Sequence, residues 1–353
     1  MDLLAAMQRA EVEQIVAVND PHSGLLGFIV IHDTGRGPGI GGCRLAPYES
    51  SEAALADGIA LAQAMTRKCA LAGLNAGGAK GVFIQHGGIG SRRAMMRALG
   101  HYVESLGGRF YTSGDLGIGP EDLAVVRETS RYVAVPDDAL DLAGATAAGV
   151  LAGMKVALEF AGLSSDLKGL RVAVQGLGAM GKAVAERLVQ GGARVVATDI
   201  DAGRLAFEQQ RLGLRVTSPE AIYDEEVTVF CPCAVSGVLT RATVGRLSAQ
   251  VVAGAANNQL GDAEADAAMK ARGIRYIPDY ALNAGAVIRA TRSLEGFTDG
   301  GSAEVGERIG RTVRRILDEA DASGDPTGVA ADRLTERALV RPRSAEKQWW
   351  PVR

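Results

Sequence analysis

No run of 18 apolar residues occurs in this chain of 353, which argues against a membrane-spanning helix. Its first residues, Met1-Asp-Leu-Leu-Ala-Ala-Met-Gln-Arg9, have neither a basic segment nor a long apolar core. No secretory leader is expected, and a cytoplasmic location follows by default. Neither sign of charge dominates: 38 Lys and Arg against 41 Asp and Glu leave a net charge of −3. That balance argues against nucleic acid or an anionic membrane as a partner. Cysteine is sparse, with four residues, Cys43, Cys69, Cys231 and Cys233. Cys231-Pro-Cys233 lacks the spacing of a metal or redox pair and has no second ligand pair, and His22, His32, His86 and His101 lie far off in sequence. Buried reduced thiols are expected there, and nothing demands a metal. There is no internal repeat and no low-complexity linker. What is left, 47% apolar and 22% charged, is an ordinary globular composition, long enough for two domains with real cores.

Glycine is abundant instead, at 46 residues, and one group of glycines is organised. Arg171-Val-Ala-Val-Gln-Gly-Leu-Gly-Ala-Met-Gly181 reads as a buried strand, a glycine turn and a helix start. Lys182 to Val189 has helical spacing, Val195 to Ala197 forms a second apolar strand, and Thr198-Asp199 ends it. This is the order a dinucleotide site needs. Gly176 allows the tight turn, Gly178 lets the backbone approach a pyrophosphate, and Gly181 lets helix and strand pack closely. Ala179 and Met180 open the helix, whose free N–H groups and dipole favour the pyrophosphate. Asp199 lies 18 residues after Gly181, placed to accept hydrogen bonds from a ribose diol. An acid there repels a 2′-phosphate, so NAD is favoured over NADP. The bland alternative is an ordinary crossover without a ligand, and the acid in place weighs against it.

The rest of the chain organises around this motif. Before it, strands are expected at Leu26–His32, Gly81–Gln85, Arg109–Thr112 and Tyr132–Val135. Helices are expected at Ser51–Arg67, with Ser50 or Ser51 as cap, at Ser91–Leu106, and from Pro120 to Arg127. From Ala145 the pattern alternates regularly. A long helix to Phe160 leads into the glycine turn, and strands follow at Thr228–Phe230, Gln250–Ala253 and Arg275–Ile277. The fold class expected is α/β with two domains separated by a cleft. One is a mixed α/β substrate-binding and oligomerisation domain over 1–143. The other is a Rossmann-type doubly wound parallel sheet over 144–326. The last helical segments, Ala303–Asp321 and Val329–Leu339, are expected to return towards the first domain, which 327–353 rejoins. Trp349-Trp350 packs either on a partner subunit or on its own chain.

Three polar segments stand out in the first domain: Gly41-Gly-Cys-Arg44, Met65-Thr-Arg-Lys68 with Gly77-Gly-Ala-Lys-Gly81, and Ser113-Gly-Asp115. Taken singly, Lys68 reads as a solvated cation at a helix end and Asp115 as a cap or turn residue. Taken together with Asn75-x-Gly-Gly-x-Lys80, Pro232-Cys-Ala234, Gly254-Ala-Ala-Asn-Asn-Gln-Leu260 and Pro278-Asp-Tyr-x-x-Asn-Ala-Gly285, they resemble the amino acid dehydrogenase superfamily, in its leucine, phenylalanine and tryptophan branch. The resemblance covers nearly the whole chain. It implies reversible, NAD-dependent oxidative deamination of an L-amino acid to the 2-oxo acid and ammonia. Lys68 would hold the substrate carboxylate, with backbone groups at Gly41 and Gly42. Lys80 would be the general base, and Asp115 would exchange a proton with the amino nitrogen. Asn257 would contact the nicotinamide ribose, Asn283 the substrate or carboxamide region, and Thr146 and Ala255 the cofactor; as an alternative, the polar ones among these cap helices. The superfamily usually assembles through its first domain, so at least a homodimer is expected.

The remaining pocket residues implied are Ile40, Met65, Ser113, Val287 and Ala290. Glutamate enzymes carry a lysine near the first glycine motif, where this chain has Ile40, which offers no partner to a buried carboxylate. An apolar or aromatic side chain is therefore expected. Ala290 stands where leucine enzymes usually have valine, leaving space for a bulky group. Ser236 and Ala286 replace family glycines. Arg289 falls where leucine enzymes have asparagine, and either pairs an acidic substrate group or points to solvent. Two other readings stay open at this point: a glutamate-type enzyme of the same fold, and a catalytically silent dinucleotide-binding protein.

Overall fold

The computed structural model describes residues 2–85, 91–134, 141–291 and 302–339. The chain divides into two compact units. The first runs to Ala139 and resumes at Thr335, and the second is Leu140–Leu334.

The first unit opens with α1 (Leu3–Ala10) and a hairpin of β1 (Gln14–Asp20) and β2 (Leu25–Ile31). Then come β3 (Gly39–Ala46), α2 (Ser51–Leu71), β4 (Gly77–Ile84), α3 (Arg92–Ser105), β5 (Phe110–Gly114) and α4 (Pro120–Arg127). Ser50, not Ser51, caps α2, accepting the Ala53 N–H at 3.1 Å. The five strands form one sheet in the order β1-β2-β4-β3-β5. The first two pairings are antiparallel and the last two parallel. Side chains alternate across it. Cys43, Leu45, Ala79, Phe83 and Phe110 face a core shared with Met96 and Leu99 of α3. On the other face Val30 packs against Leu55, Ile59 and Ala62 of α2. A Cβ added at Gly58 of α2 would meet Val82 at 2.8 Å, so α2 covers the face of β4 that carries Val82 and, two residues earlier, Lys80.

Two expectations change here. Sequence reading places a strand at Gly81–Gln85 and treats Gly41-Gly-Cys-Arg44 as a polar segment. In the structure β4 begins at Gly77, and Gly39–Ala46 is a central strand bonded on both sides. Glycine is a weak strand former, so local propensity hides this strand; ladder bonds to β4 and β5 decide it. The strand expected at Tyr132–Val135 is reduced, among the described residues, to a bridge from Val133 to Thr112. Residue 135 lies outside the described residues, as does Trp349-Trp350.

The second unit begins with α5 (Leu142–Phe160), capped by Asp141, whose carboxylate accepts the Gly144 N–H at 2.9 Å. It continues through β6 (Arg171–Gln175), α6 (Ala179–Gln190), β7 (Arg194–Thr198), α7 (Ala202–Leu212) and β8 (Arg215–Val216). After β9 (Val229–Pro232) come α8 (Arg241–Arg246), β10 (Val251–Val252), α9 (Ala265–Ala271) and β11 (Arg275–Tyr276). The helices α10 (Asp279–Leu282), α11 (Gly285–Ala290), α12 (Ser302–Ser323) and α13 (Thr327–Leu339) complete the chain. The six strands pair in parallel in the order β11-β10-β9-β6-β7-β8. That is the doubly wound order of a dinucleotide-binding sheet, and its winding reverses between β6 and β9. Phe230, Val252 and Tyr276 join Ile222, Leu239 and Met269 in a core on the sheet. Among the described residues α5 is the one helix long and apolar enough to cross a membrane. It is a core helix: Val150, Met154, Ala157 and Leu158 are buried, and α6, α11 and α12 pack against it. The expectation that Ala303–Asp321 returns to the first domain is not met. Instead α12 lies along α5 in the second unit, and the chain rejoins the first unit only at Thr335.

Candidate active site

In the first unit the chemistry gathers where β3, β4 and β5 run side by side. The register sets Cys43 against Gly81 and Gly42 against Ser113. Gly42, Lys80 and Ser113 therefore share one sheet face, the face under α2. Lys80 is buried, at 6% exposure, and its Nζ lies 2.8 Å from Asp115 Oδ2. Asp115 sits in the tight turn after β5, where its carbonyl accepts the Ile118 N–H at 2.9 Å. Among the described residues its side chain caps no helix; the N-cap of α4 is Gly119, whose N–H donates to Asp122 at 3.0 Å. Gly42 makes this meeting possible, because a Cβ there would stand 2.6 Å from the Gly114 carbonyl and 3.1 Å from Asp115 Cβ. Burial raises the Asp115 carboxyl, but the Lys80 ammonium and the Arg44 guanidinium outweigh it, and the net shift is below the usual carboxylate range. Lys68 is half-buried on the last turn of α2, Met65 is half-buried one turn earlier, and Ile40 is buried on β3 opposite Gly78. Gly41 is buried beside Gly42.

The second unit gathers the other candidates at the carboxyl ends of its strands. Gly176 takes φ +95°, a conformation that suits glycine, and a Cβ there would fall 2.7 Å from that of Ala234. A Cβ on Gly181 would fall 2.0 Å from the Gly176 carbonyl oxygen, so α6 packs tightly onto the turn. Around Gly178 the space is open. Gly178 starts α6 without a capping side chain, Ala179 and Met180 follow it, and the first N–H groups are left for an anion. Asp199 is buried at the end of β7. Its Oδ2 accepts the Leu177 N–H at 2.7 Å, its Oδ1 accepts the Asp201 N–H at 2.8 Å, and Arg204 Nη1 reaches both oxygens at 3.2 and 3.3 Å. The acid thus braces the glycine turn.

Asn283, Asn257 and Ala255 also meet. Asn283 Nδ2 donates to Asn257 Oδ1 at 2.8 Å and to the Ala255 carbonyl at 3.2 Å. Asn283 Oδ1, Gln175 Oε1 and Thr198 Oγ1 are buried without a hydrogen-bond partner among the described residues. Gln175 and Thr198 end β6 and β7, at the carboxyl ends where a doubly wound sheet takes its ligand. Orphaned buried polar atoms are costly, and a bound dinucleotide offers partners for them, so these residues fit the group. Thr146 is buried inside α5, its hydroxyl donating to the Leu142 carbonyl at 3.0 Å; the cap is Asp141, so Thr146 does not serve as one. Val287 and Ala290 are half-buried on α11. Arg289 is buried and engaged within the protein, which corrects the reading that it points to solvent.

Cys231 and Cys233 are reduced thiols with sulfurs 3.6 Å apart, Cys231 buried and Cys233 half-buried. Among the described residues no group of three His, Cys, Asp or Glu is placed to hold a metal. Sequence reading leaves Arg44, Tyr48 and Asp57 without roles. Arg44 Nε lies 2.9 Å from Asp115 Oδ2, and its Nη1 lies 3.0 Å from Asp57 Oδ2. The signal was present in part: Arg44 stands two residues past Gly42 in the first motif, on the same strand face.

A doubly wound sheet with an acid-braced glycine turn, in a chain that also carries a lysine–aspartate pair, defines an oxidoreductase working with a dinucleotide. The chain belongs to the glutamate, leucine, phenylalanine and valine dehydrogenase family. Residues 12–132 match its dimerisation domain, and 139–210 and 205–300 match its Glutamate/Leucine/Phenylalanine/Valine dehydrogenase model. It is 36% identical to leucine dehydrogenase of Bacillus subtilis, over 99% of this chain and 97% of that one. It is 38% identical to phenylalanine dehydrogenase of Bacillus thermotolerans, over 94% and 89% respectively. The crystal structure of L-tryptophan dehydrogenase from Nostoc punctiforme superposes with a TM-score of 0.83 at 35% identity, covering 95% of this chain and 98% of that one.

Proposed function

We propose that the protein catalyses the reversible, NAD-dependent oxidative deamination of an L-amino acid with an apolar or aromatic side chain. The pair of buried Lys80 and half-buried Asp115, with Nζ and Oδ2 2.8 Å apart, carries this reading. Lys68 holds the substrate carboxylate with the backbone of Gly41 and Gly42. Asp115, kept ionised by its two cations, takes a proton from the substrate ammonium. NAD, when bound, accepts the hydride from Cα. Lys80 first releases its proton to solvent and then takes one from the water that adds to the imino carbon; Asp115 returns its proton to the nitrogen, which leaves as ammonia and carries off the hydroxyl proton as ammonium. The balance is amino acid, NAD and water giving 2-oxo acid, ammonium, NADH and a proton. The glycine turn, with Gly176, Gly178, Ala179, Met180 and Gly181, holds the pyrophosphate; Asp199 faces the ribose, and Thr146, Ala255, Asn257 and Asn283 surround the nicotinamide side.

Ile40, Met65, Ser113, Val287 and Ala290 shape the side-chain pocket. Ile40 leaves a buried side-chain carboxylate without a partner, and Arg289 is already engaged within the protein, so an acidic substrate is disfavoured. The first unit serves substrate binding and assembly, and the second serves the cofactor. We take the working form as a homo-oligomer of at least two chains in the cytoplasm. The homo-oligomer rests on the family description of residues 12–132 as a dimerisation domain.

The test is NADH formation at alkaline pH on the twenty L-amino acids, with NAD and with NADP. Activity on leucine, valine, phenylalanine or tryptophan with NAD supports the proposal. A preference for glutamate refutes the substrate class. NADH binding without turnover on any of them, unaltered by Lys80→Ala, refutes catalysis.

A further inference from the structure

The scheme above uses Arg44 only as one of the two cations beside Asp115 and gives its geometry no task. Arg44 lies on β3, register-paired with Val82, two residues along β4 from Lys80. Its guanidinium spans two carboxylates. Nε reaches Asp115 Oδ2 at 2.9 Å, the same oxygen that Lys80 Nζ reaches at 2.8 Å. Nη1 reaches Asp57 Oδ2 on α2 at 3.0 Å, and the Tyr48 hydroxyl donates to that same Asp57 oxygen at 2.5 Å. Asp115 Oδ1 makes no hydrogen bond among the described residues. One corner of the Asp115 carboxylate is therefore held by two cations, and the other is left to the substrate nitrogen.

We propose that Arg44 is a positioning residue for this reaction: its planar fork, fixed from behind by Asp57 and Tyr48, turns the free Oδ1 of Asp115 towards the substrate amine and keeps that carboxylate ionised. The proposal rests on the reading of Lys80 and Asp115 given above. Arginine suits the task because its donors lie in one rigid plane and keep their charge, whereas lysine presents one mobile ammonium that cannot serve both carboxylates in line. The groups facing Asp115 are Lys80 from β4 and Arg44 from β3. The Cys43 thiol, pushed up to about 12 by burial, remains neutral behind them, bonded to the Thr112 hydroxyl at 3.0 Å. Asp57 and Tyr48 act on Asp115 only through Arg44. The plainer role for Arg44, a staple between β3 and α2, affects melting but not the pH profile.

The experiment measures kcat, KM and the pH dependence of kcat/KM for five full-length variants, with NADH binding as the check that each is folded. Lys80→Ala and Asp115→Asn test the underlying site; if they turn over like wild type, that reading fails and Arg44 is not at issue. With those two inactive, Arg44→Gln is expected to lower kcat about ten- to a hundredfold with KM little changed. Its acid limb should move up by about one pH unit, since one of two cations beside Asp115 is gone. Arg44→Lys should keep the acid limb and lose turnover. Asp57→Asn keeps the Arg44 charge but frees its fork, so kcat should fall with the limb unmoved. It also decides the matter if Arg44→Gln does not fold. Wild-type kcat and an unshifted limb in Arg44→Gln, or wild-type kcat in Asp57→Asn, overturns the proposal.

Discussion

Asp115→Asn keeps the shape of the side chain and removes its charge, which makes it the sharpest perturbation of the site. Two charged bonds end on Asp115 Oδ2, from Lys80 at 2.8 Å and from Arg44 at 2.9 Å. Breaking a fully buried pair costs about 3–5 kcal/mol, because the remaining charge stays buried. Here the Lys80 side chain is 7% exposed but that of Asp115 is 29% exposed, and water screens part of the loss. A loss of about 2 kcal/mol of unfolding free energy is expected at neutral pH. The sign with pH follows from linkage. The Asp115 carboxyl is lowered in the folded protein: burial pushes it up, and Lys80 and Arg44 push it down further. Its contribution is present above the unfolded value, about 3.9, and is lost as pH falls through the folded value. Urea unfolding should show the full difference between wild type and variant at pH 7, and the difference should shrink below about pH 4. The same variant should lose about 10²–10⁴-fold in kcat/KM, the range that general acid–base catalysis supplies. NADH binding should survive. A variant with wild-type turnover, or a stability gap that persists undiminished in acid, refutes the reasoning.

Three further outcomes are expected. Gly176→Ala forces a side chain onto φ +95° and against Ala234 at 2.7 Å, so chemical denaturation should show a loss of about 3 kcal/mol, with NADH affinity falling by titration. Asp199→Ala removes both the brace on the Leu177 N–H and the charge opposing a 2′-phosphate, leaving Arg204 behind. The ratio of kcat/KM for NAD over NADP should fall about tenfold or more, and an unchanged ratio counts against Asp199 as the selecting residue. Ile40→Lys places a cation in the pocket; activity on glutamate relative to leucine should rise, and no rise would remove Ile40 from the specificity set.

Much of this molecule is legible in its amino-acid sequence, through signals that are local. Apolar periodicity marks the long helices, because residues three and four apart share a helix face whatever surrounds them. The glycine turn is legible because its chemistry is local: a tight turn, a close backbone approach and a helix start lie within a few residues, with the acid one strand later. Tertiary structure alone decided the pairings between distant segments. Gly39–Ala46 is a strand because β4 and β5 bond it on both sides. Lys80 and Asp115, 35 positions apart, meet because β3 lies between their strands and Gly42 leaves the gap. Arg44 gains its place from Asp57 on the covering helix, and Asp199 turns to brace the glycine turn beside Arg204. Arg289 is buried rather than solvated. The physical reason is common to all of these. A side chain's neighbours along the chain follow from fixed helical and strand periods, whereas its neighbours across a sheet depend on strand order, which sequence-local forces do not specify.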